Sequence, residues 1–278
     1  WIVEDSGVKV VFAEAAHHEK VVDRAITQEK LDDVSRVYRL DGDDLDTLRA
    51  QGSDVTDDTI EQRRSQAVLG DLATVIYTSG TTGRPKGCEL THGNFTELSL
   101  QTMHSLGNVI HKDASTVLFI PLAHVFARFI SVLCVAAGAR VGHTADIKDL
   151  VNDLGTFRPT FLLAVPRVFE KIYNAAMMKA EADGKGRIFE KAAQTAIDWS
   201  QADEAGHVPL GLTWKHKLFS KLVYSKLRAR MGGNVTHAVS GGSPLGARLG
   251  HFFHGIGLMV MEGYGLTETT APITVNTP

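Results

Sequence analysis

A chain of 278 residues that is 44% hydrophobic can bury a full core, enough for one large or two ordinary domains. Its 29 basic and 32 acidic residues leave a formal net charge of -3, so no overall field favours nucleic acid or an anionic membrane. Two cysteines, Cys88 and Cys134, cannot build a disulfide framework and carry no metal-site or nucleophile pattern, no secretory signal is visible, and the longest uncharged apolar run (residues 129–139) is too short to cross a bilayer. A reducing cytoplasm is the expected setting.

In chain order, short apolar runs alternate with helical patterns, which predicts an α/β fold with mixed, largely parallel sheets covered by helices. The opening "WIVEDSG" has no initiator Met and reads as the end of a helix already in progress. Strands are expected at residues 9–13, 34–40, 72–78, 115–121, 139–143, 160–165, 234–240 and 257–264. Helices are expected in "HHEKVVDRAI", "HVFARFISVLCVAA" and "IKDLVNDLGTF", with solvated helices in the acidic stretch 43–66. From 166 to about 231 the pattern changes to consecutive helices, interrupted at "DGKGR" and "GHVPLG". No internal repeat or low-complexity segment is present.

The most informative segment is "VIYTSGTTGRPKGCELTHGNF", residues 75–95. Between two apolar runs it concentrates the hydroxyls of Thr78, Ser79, Thr81 and Thr82 with Gly80, Gly83 and Gly87, and it adds Arg84, Pro85 and Lys86. Glycines let backbone amides approach a ligand, hydroxyls donate to phosphate oxygens, and the cations neutralise charge. A polyphosphate ligand fits that mixture. The P-loop pattern of nucleoside triphosphatases fails twice, because Pro85 falls where its second glycine belongs and Gly87 follows Lys86 where Ser or Thr is required. A hairpin is expected instead: a strand-like Cys88–Thr91 follows, and a cap and helix begin only at Thr91 or His92.

Two further motifs lie near the end. In "VMEGYGLTETT" (260–270), Gly263 and Gly265 flank Tyr264 just past a predicted strand, at the carboxyl end of the sheet, where open α/β folds place ligands. Tyr264 offers an aromatic face to a base, Thr267 a hydroxyl to a phosphate, and Glu268 a hard oxygen to Mg²⁺. In "AVSGGSPLG" (238–246), Gly242, Ser243 and Pro244 form a tight strand-to-helix turn, with Ser243 expected as N-cap and Pro244 at the first helical position.

Together, "YTSGTTGRPKG" and "GYGLTET" resemble the phosphate-binding loop and the adenine and magnesium motif of the adenylate-forming (AMP-binding) superfamily. "FIPLAHVFARF", "RPTFLLAVPRVFEKIYNAA", "KLRARMGG", "AVSGGSPLG" and "GLMVMEGYGLTETTAPITVN" are similar, more narrowly, to bacterial long-chain fatty-acid CoA ligases. The resemblance implies ATP-dependent activation of a fatty acid to an acyl-adenylate, then thioester formation with coenzyme A. Thr78, Ser79, Gly80, Thr81, Thr82, Gly83 and Lys86 would cradle the β and γ phosphates, and Gly242, Ser243 and Pro244 would line the adenine and acyl side. Tyr264 and Gly265 would meet the base, Thr267 the α-phosphate and Glu268 the Mg²⁺. His124, in "PLAHVF", would sit at the mouth of the acyl tunnel, although a His ahead of an apolar helix also reads as structural. The catalytic set implied is thus Lys86, His124, Thr267 and Glu268.

The family pattern also contains an opening region, a ribose-binding Asp, a hinge and a small C-terminal lid with a catalytic Lys, none of which can be assigned here. The chain is therefore expected to be the central part of the large N-terminal adenylation domain, residues 1–278, with a helical insert at about 166–231 and the lid absent. On its own it is expected to be inactive. The expected partners are fatty acid, ATP and coenzyme A, without nucleic acid or a transmembrane segment; any membrane contact would be peripheral. The alternatives are an adenylating ligase for another carboxylic acid and a noncatalytic nucleotide-binding module.

Overall fold

The computed structural model describes residues 1–79 and 83–277, which divide into two units, Trp1–Asn94 and Phe95–Pro278. The first unit runs α1 (Ile2–Asp5), β1 (Val10–Ala13), α2 (Ala16–Glu29), β2 (Arg36–Arg39), α3 (Asp44–Gln51), α4 (Asp57–Ser65), β3 (Leu72–Thr78) and β4 (Lys86–Thr91). β1 and β2 pair in parallel around α2, a right-sized βαβ connection, and β3 pairs antiparallel with β4. The hairpin expected around the glycine-rich loop is present: Thr78 lies opposite Lys86. α5 (His92–Ser105) starts where expected, with Asn94 Oδ1 accepting the Thr91 N–H at 2.8 Å and Thr91 Oγ1 accepting the Asn94 N–H at 3.2 Å. The reciprocal pair satisfies N–H groups that a helix start otherwise leaves open.

The second unit continues with β5 (Ser115–Leu118), α6 (Val125–Ala137), β6 (Arg140–His143), α7 (Leu150–Phe157), β7 (Phe161–Ala164), α8 (Pro166–Ala182) and α9 (Gly186–Glu204). Then come α10 (Leu210–Phe219), a π-helical turn (Ser220–Tyr224), α11 (Ser225–Arg230), β8 (His237–Gly241), α12 (Ala247–Gly255), β9 (Met259–Leu266), a 3₁₀ turn (Thr267–Thr269) and β10 (Ala271–Val275). β5 and β6 are parallel, while the larger sheet has the order β10-β9-β8-β7, parallel except for the β9–β10 edge. Thr160 joins the two sheets: its N–H donates to Ser115 O at 2.9 Å, and its Oγ1 accepts the Ser115 N–H at 2.9 Å.

The core of this unit packs the sheet against the helices. α9 presents Ala192, Ala193 and Ala196, and these small side chains let α12 approach closely enough to bury Phe252 and Phe253. Tyr173 meets Phe252 edge-on, centroids 4.8 Å apart at 86°, and Phe169 meets Phe253 in the same way at 5.2 Å. α6 buries Val125, Phe126, Phe129, Ile130 and Leu133, a repeat of three and four that defines one face, and ends at Gly138 in the left-handed region. α8 begins with Pro166 at its first position, where the missing N–H costs nothing.

Three local expectations need correction. The segment 238–246 is not capped by Ser243 with Pro244 at the first helical position; Gly246, at φ +83°, occupies the N-cap of α12. The turn is longer because the Leu245 N–H is held elsewhere, by the Glu262 carboxylate. The stretch 115–121 ends as a strand at Leu118, where its partner β6 ends at His143. The last insert helix is not one helix, since the π turn at Ser220–Tyr224 divides it.

Candidate active site

Six of the second unit's sequence-predicted site residues line one cavity of about 290 Å³. Its lining combines His124, Gly242, Tyr264, Gly265, Thr267 and Glu268 with the apolar side chains of Leu106, Ile110, Val125, Phe126, Phe129 and Leu133. The cavity therefore brings charged and hydroxyl-bearing side chains together with an apolar wall from α6, which suits an amphiphile better than a small polar ligand. Ser243 and Pro244 lie on the same turn as Gly242 but outside the lining.

The polar end is built around the turn after β9. Tyr264 is 63% exposed, leaving its ring free to stack on a planar ligand. Thr267 and Glu268 sit in the 3₁₀ turn, held by Thr269: its Oγ1 accepts the Leu266 N–H at 3.0 Å and lies 3.0 Å from the carbonyls of both Leu266 and Ala271. Thr270 at φ +65° and Ala271 at φ +102° follow, two consecutive non-glycine residues with left-handed φ. Backbone held at such φ values persists only where surrounding contacts fix it. Gly265 is required sterically, because a Cβ there would collide with the Ala271 carbonyl across the β9–β10 pair.

His124 stands both at a helix start and in the cavity lining. It is the N-cap of α6, its Nδ1 accepting the Phe126 N–H at 3.3 Å, and it lines the cavity. Because Nδ1 accepts, the neutral ring carries its proton on Nε2, which is the nitrogen left to face a ligand.

The first unit carries the hydroxyl-glycine loop. Thr78 and Lys86 close its base as opposed residues, Ser79 and Gly83 stand at its two ends, and Gly80, Thr81 and Thr82 lie outside the described residues. α1 clamps this hairpin: Tyr77 Oη donates to Asp5 Oδ2 at 2.7 Å, Trp1 Nε1 donates to Pro85 O at 3.0 Å, and the Arg84 guanidinium lies 4.7 Å over the Trp1 ring. Donation to Asp5 pushes the Tyr77 phenol up to about 12. Arg84 is therefore engaged in holding the loop, while Lys86 stays exposed.

The sequence reading missed Glu262, Thr269 and the α6 wall. Glu262 was visible as a carboxylate inside a strand that ends at a ligand motif; the other two had no local signal.

The fold and site define an α/β domain whose cavity sets hydroxyl, carboxylate, imidazole and aromatic side chains beside an apolar wall. The chain belongs to the AMP-binding enzyme family, whose model matches residues 1–278. It is 45% identical over 277 residues to the long-chain-fatty-acid–CoA ligase FadD15 of Mycobacterium bovis, covering 99% of this chain and 46% of that relative. The chain thus spans less than half the length of the relative it matches. Among solved structures, it resembles a long-chain-fatty-acid–CoA ligase (FadD1) from Archaeoglobus fulgidus, with TM-score 0.65, 17% identity, and coverage of 100% of this chain and 46% of that one. ATP-bound MatB from Rhodopseudomonas palustris gives TM-score 0.64 at 21% identity, covering 99% of this chain and 43% of the other. At these identities the structural likeness shows the fold, which is the expected α/β architecture.

Proposed function

We propose that this chain is the central part of the adenylation domain of a long-chain fatty-acid CoA ligase. The observation that carries the reading is the cavity that joins Tyr264, Thr267, Glu268 and His124 to the apolar face of α6. In the proposed reaction a fatty-acid carboxylate oxygen attacks the α-phosphorus of ATP, the bond to the bridging oxygen breaks, and pyrophosphate leaves. The thiol of coenzyme A then displaces AMP from the acyl carbonyl in the whole enzyme. The first step makes little demand for covalent chemistry by the protein, so its residues act by positioning and by stabilising charge.

Each group has one task in this reading. The alkyl chain enters between Phe126, Phe129 and Leu133, excluding water from the carboxylate end. Tyr264 stacks on the base, Thr267 donates to the α-phosphate, and His124 Nε2–H donates at the carboxylate. Taken by itself, the first unit's loop from Thr78 to Lys86, with Gly80, Thr81 and Thr82, is suited by its hydroxyls, glycines and Lys86 to contact polyphosphate oxygens. Glu268 suits Mg²⁺, since that ion commonly takes one or two carboxylates together with substrate phosphates rather than a protein cage, and among the described residues no group of three His, Cys, Asp or Glu forms such a cage. When bound, the ion would neutralise phosphate charge.

Pyrophosphate release by the full-length protein, measured over a panel of acids, tests the reading. Activity rising with alkyl length is expected. Preference for a short or aromatic acid would assign the enzyme to another carboxylate, and no release with any acid would favour a noncatalytic nucleotide-binding module.

A further inference from the structure

The helical insert carries a groove that the adenylation chemistry leaves unused. A cavity of about 320 Å³ lies between the end of α8, the start of α9, the π turn and α11. Its floor is apolar, with Ala176, Phe189 and Leu227 buried and Ile188 and Leu222 about half exposed. Four cations stand on its rim: Lys179 and Lys185 come from the α8–α9 side, and Lys226 and Arg230, one helical turn apart, from α11. Asp183 is the one carboxylate of the lining, and among the described residues none of the four cations is ion-paired. Such a slot accepts a small apolar knob ringed by carboxylates.

The chain itself presents such a knob. In the first unit α4 buries no residue, and its start is a capped turn in which Thr56 Oγ1 accepts the Thr59 N–H at 3.3 Å. Val55 and Ile60 occupy the position before the cap and the position one turn into the helix, the pair that packs together as a hydrophobic staple, and they are 48% and 54% exposed. Asp54, Asp57 and Asp58 flank them in sequence; all three are exposed, and none is ion-paired among the described residues. The wider charge pattern agrees. From Asp41 to Glu61 there are eight acidic residues and one basic, whereas from Ala205 to Met231 there are six Lys and Arg and no Asp or Glu. Two patches of opposite sign, each pairing an apolar centre with a charged rim, are complementary in the manner of a protein–protein interface.

We propose that the start of α4 in one copy docks in the α8–α9–α11 groove of a second copy, Val55 and Ile60 entering the apolar floor while Asp54, Asp57 and Asp58 meet the rim cations. The contact joins two different surfaces, so the copies associate head to tail. One knob in one groove is smaller than a standard stable interface, which makes the association weak, concentration-dependent and sensitive to salt. This goes beyond the proposed ligase reading and does not depend on it, because self-association requires neither ATP nor turnover.

The test is sedimentation velocity of the chain over a concentration series at about 0.05 M and about 0.5 M salt, with circular dichroism to check the fold of each variant. Association at low salt that is largely lost at high salt is expected. Lys226→Glu combined with Arg230→Glu should lower the association constant about tenfold or more, as should Asp57→Lys combined with Asp58→Lys. Ile60→Ser, at an exposed position, should lower it about tenfold without changing any charge. When the two charge-reversed chains are mixed they should form a one-to-one complex, because each keeps the surface that the other has lost. The control Lys20→Glu with Arg24→Glu, an exposed pair on α2, should change nothing. A monomer at every concentration in low salt, association that survives both pairs of reversals, or no complex in the mixture would overturn the proposal. So would association lost with the groove reversals but kept with the Asp57 and Asp58 reversals, which would give the groove a different occupant.

Discussion

The Glu262 carboxylate accepts the backbone N–H of Leu245 at 2.7 Å, so the strand that carries Tyr264 also holds the glycine turn that carries Gly242. Two segments that contribute to the cavity lining are linked by one charge-assisted bond. Glu262→Ala leaves that N–H without its acceptor and should cost about 1 to 3 kcal/mol of stability. It should also raise KM for ATP more than it lowers kcat, because Glu262 lies outside the cavity lining. Glu262→Gln, which keeps an acceptor oxygen, should restore most of both. Chemical denaturation and steady-state kinetics on the full-length protein check this, and a normal KM in the alanine variant would contradict it.

Gly265→Ala tests the strained turn. The added methyl has no room beside the Ala271 carbonyl, so the β9–β10 pair must separate or shift, at an expected cost of about 1 to 3 kcal/mol. Thr267 and Glu268 move with it. Adenylation should fall well beyond the loss of folded protein, as seen by comparing rates per folded molecule.

Lys86 and Arg84 should separate into two roles despite being two residues apart. Lys86→Ala should weaken ATP binding by about 1.5 to 3 kcal/mol, roughly a ten- to hundredfold change, with little effect on stability. Arg84 lies over Trp1, so Arg84→Ala should loosen the hairpin and lower stability by about 0.5 to 1 kcal/mol. Calorimetric ATP titration and thermal unfolding distinguish them; unaltered ATP binding by Lys86→Ala would remove the phosphate role.

Cys134 gives a pH signature. It is fully buried in α6, and that burial pushes its thiol from an ordinary 9.0 up to about 11. A raised folded value means that the stabilising contribution is complete below 9.0 and is lost as pH rises towards about 11. The contribution is about 2 to 3 kcal/mol. Urea unfolding between these pH values should show a steeper loss for the unaltered chain than for Cys134→Ala, the difference in slope isolating this thiol from Tyr77 and other alkaline groups. Equal slopes would rule it out.

Much of the fold was legible because apolar runs and turn residues agree locally. All eight expected strands form, and the hairpin expected from the strand-like Cys88–Thr91 after the glycine-rich loop has Thr78 facing Lys86. What escaped depends on partners distant in sequence. β10 contains Pro272 and returns antiparallel after a strained turn, so its pairing with β9 is set by the hairpin rather than by an apolar run. The N-cap passed from Ser243 to Gly246 because Glu262 takes the Leu245 N–H. The π turn was hidden since Leu218 and Leu222 keep an ordinary helical spacing across it. In the site, Tyr264, Thr267, Glu268, Gly242 and His124 were legible as a motif set and do meet in one cavity. Phe126 and Phe129 looked like plain core, since a periodic face does not reveal whether it meets protein or an open slot.

The parallel pairing of β7 with β8 has a consequence for how the chain reaches its native state. Phe161 pairs with His237, and α8, α9, α10, the π turn and α11 all lie in the intervening chain. The β3–β4 hairpin closes a short loop and can form within microseconds, whereas the β7–β8 ladder gains no bond until that long segment has been compacted. Refolding should therefore be slow and end with central sheet assembly, with α9 and α12 meeting only in that last phase. Until then β7 exposes the apolar edge Phe161–Ala164, which makes this step the point at which aggregation competes with folding.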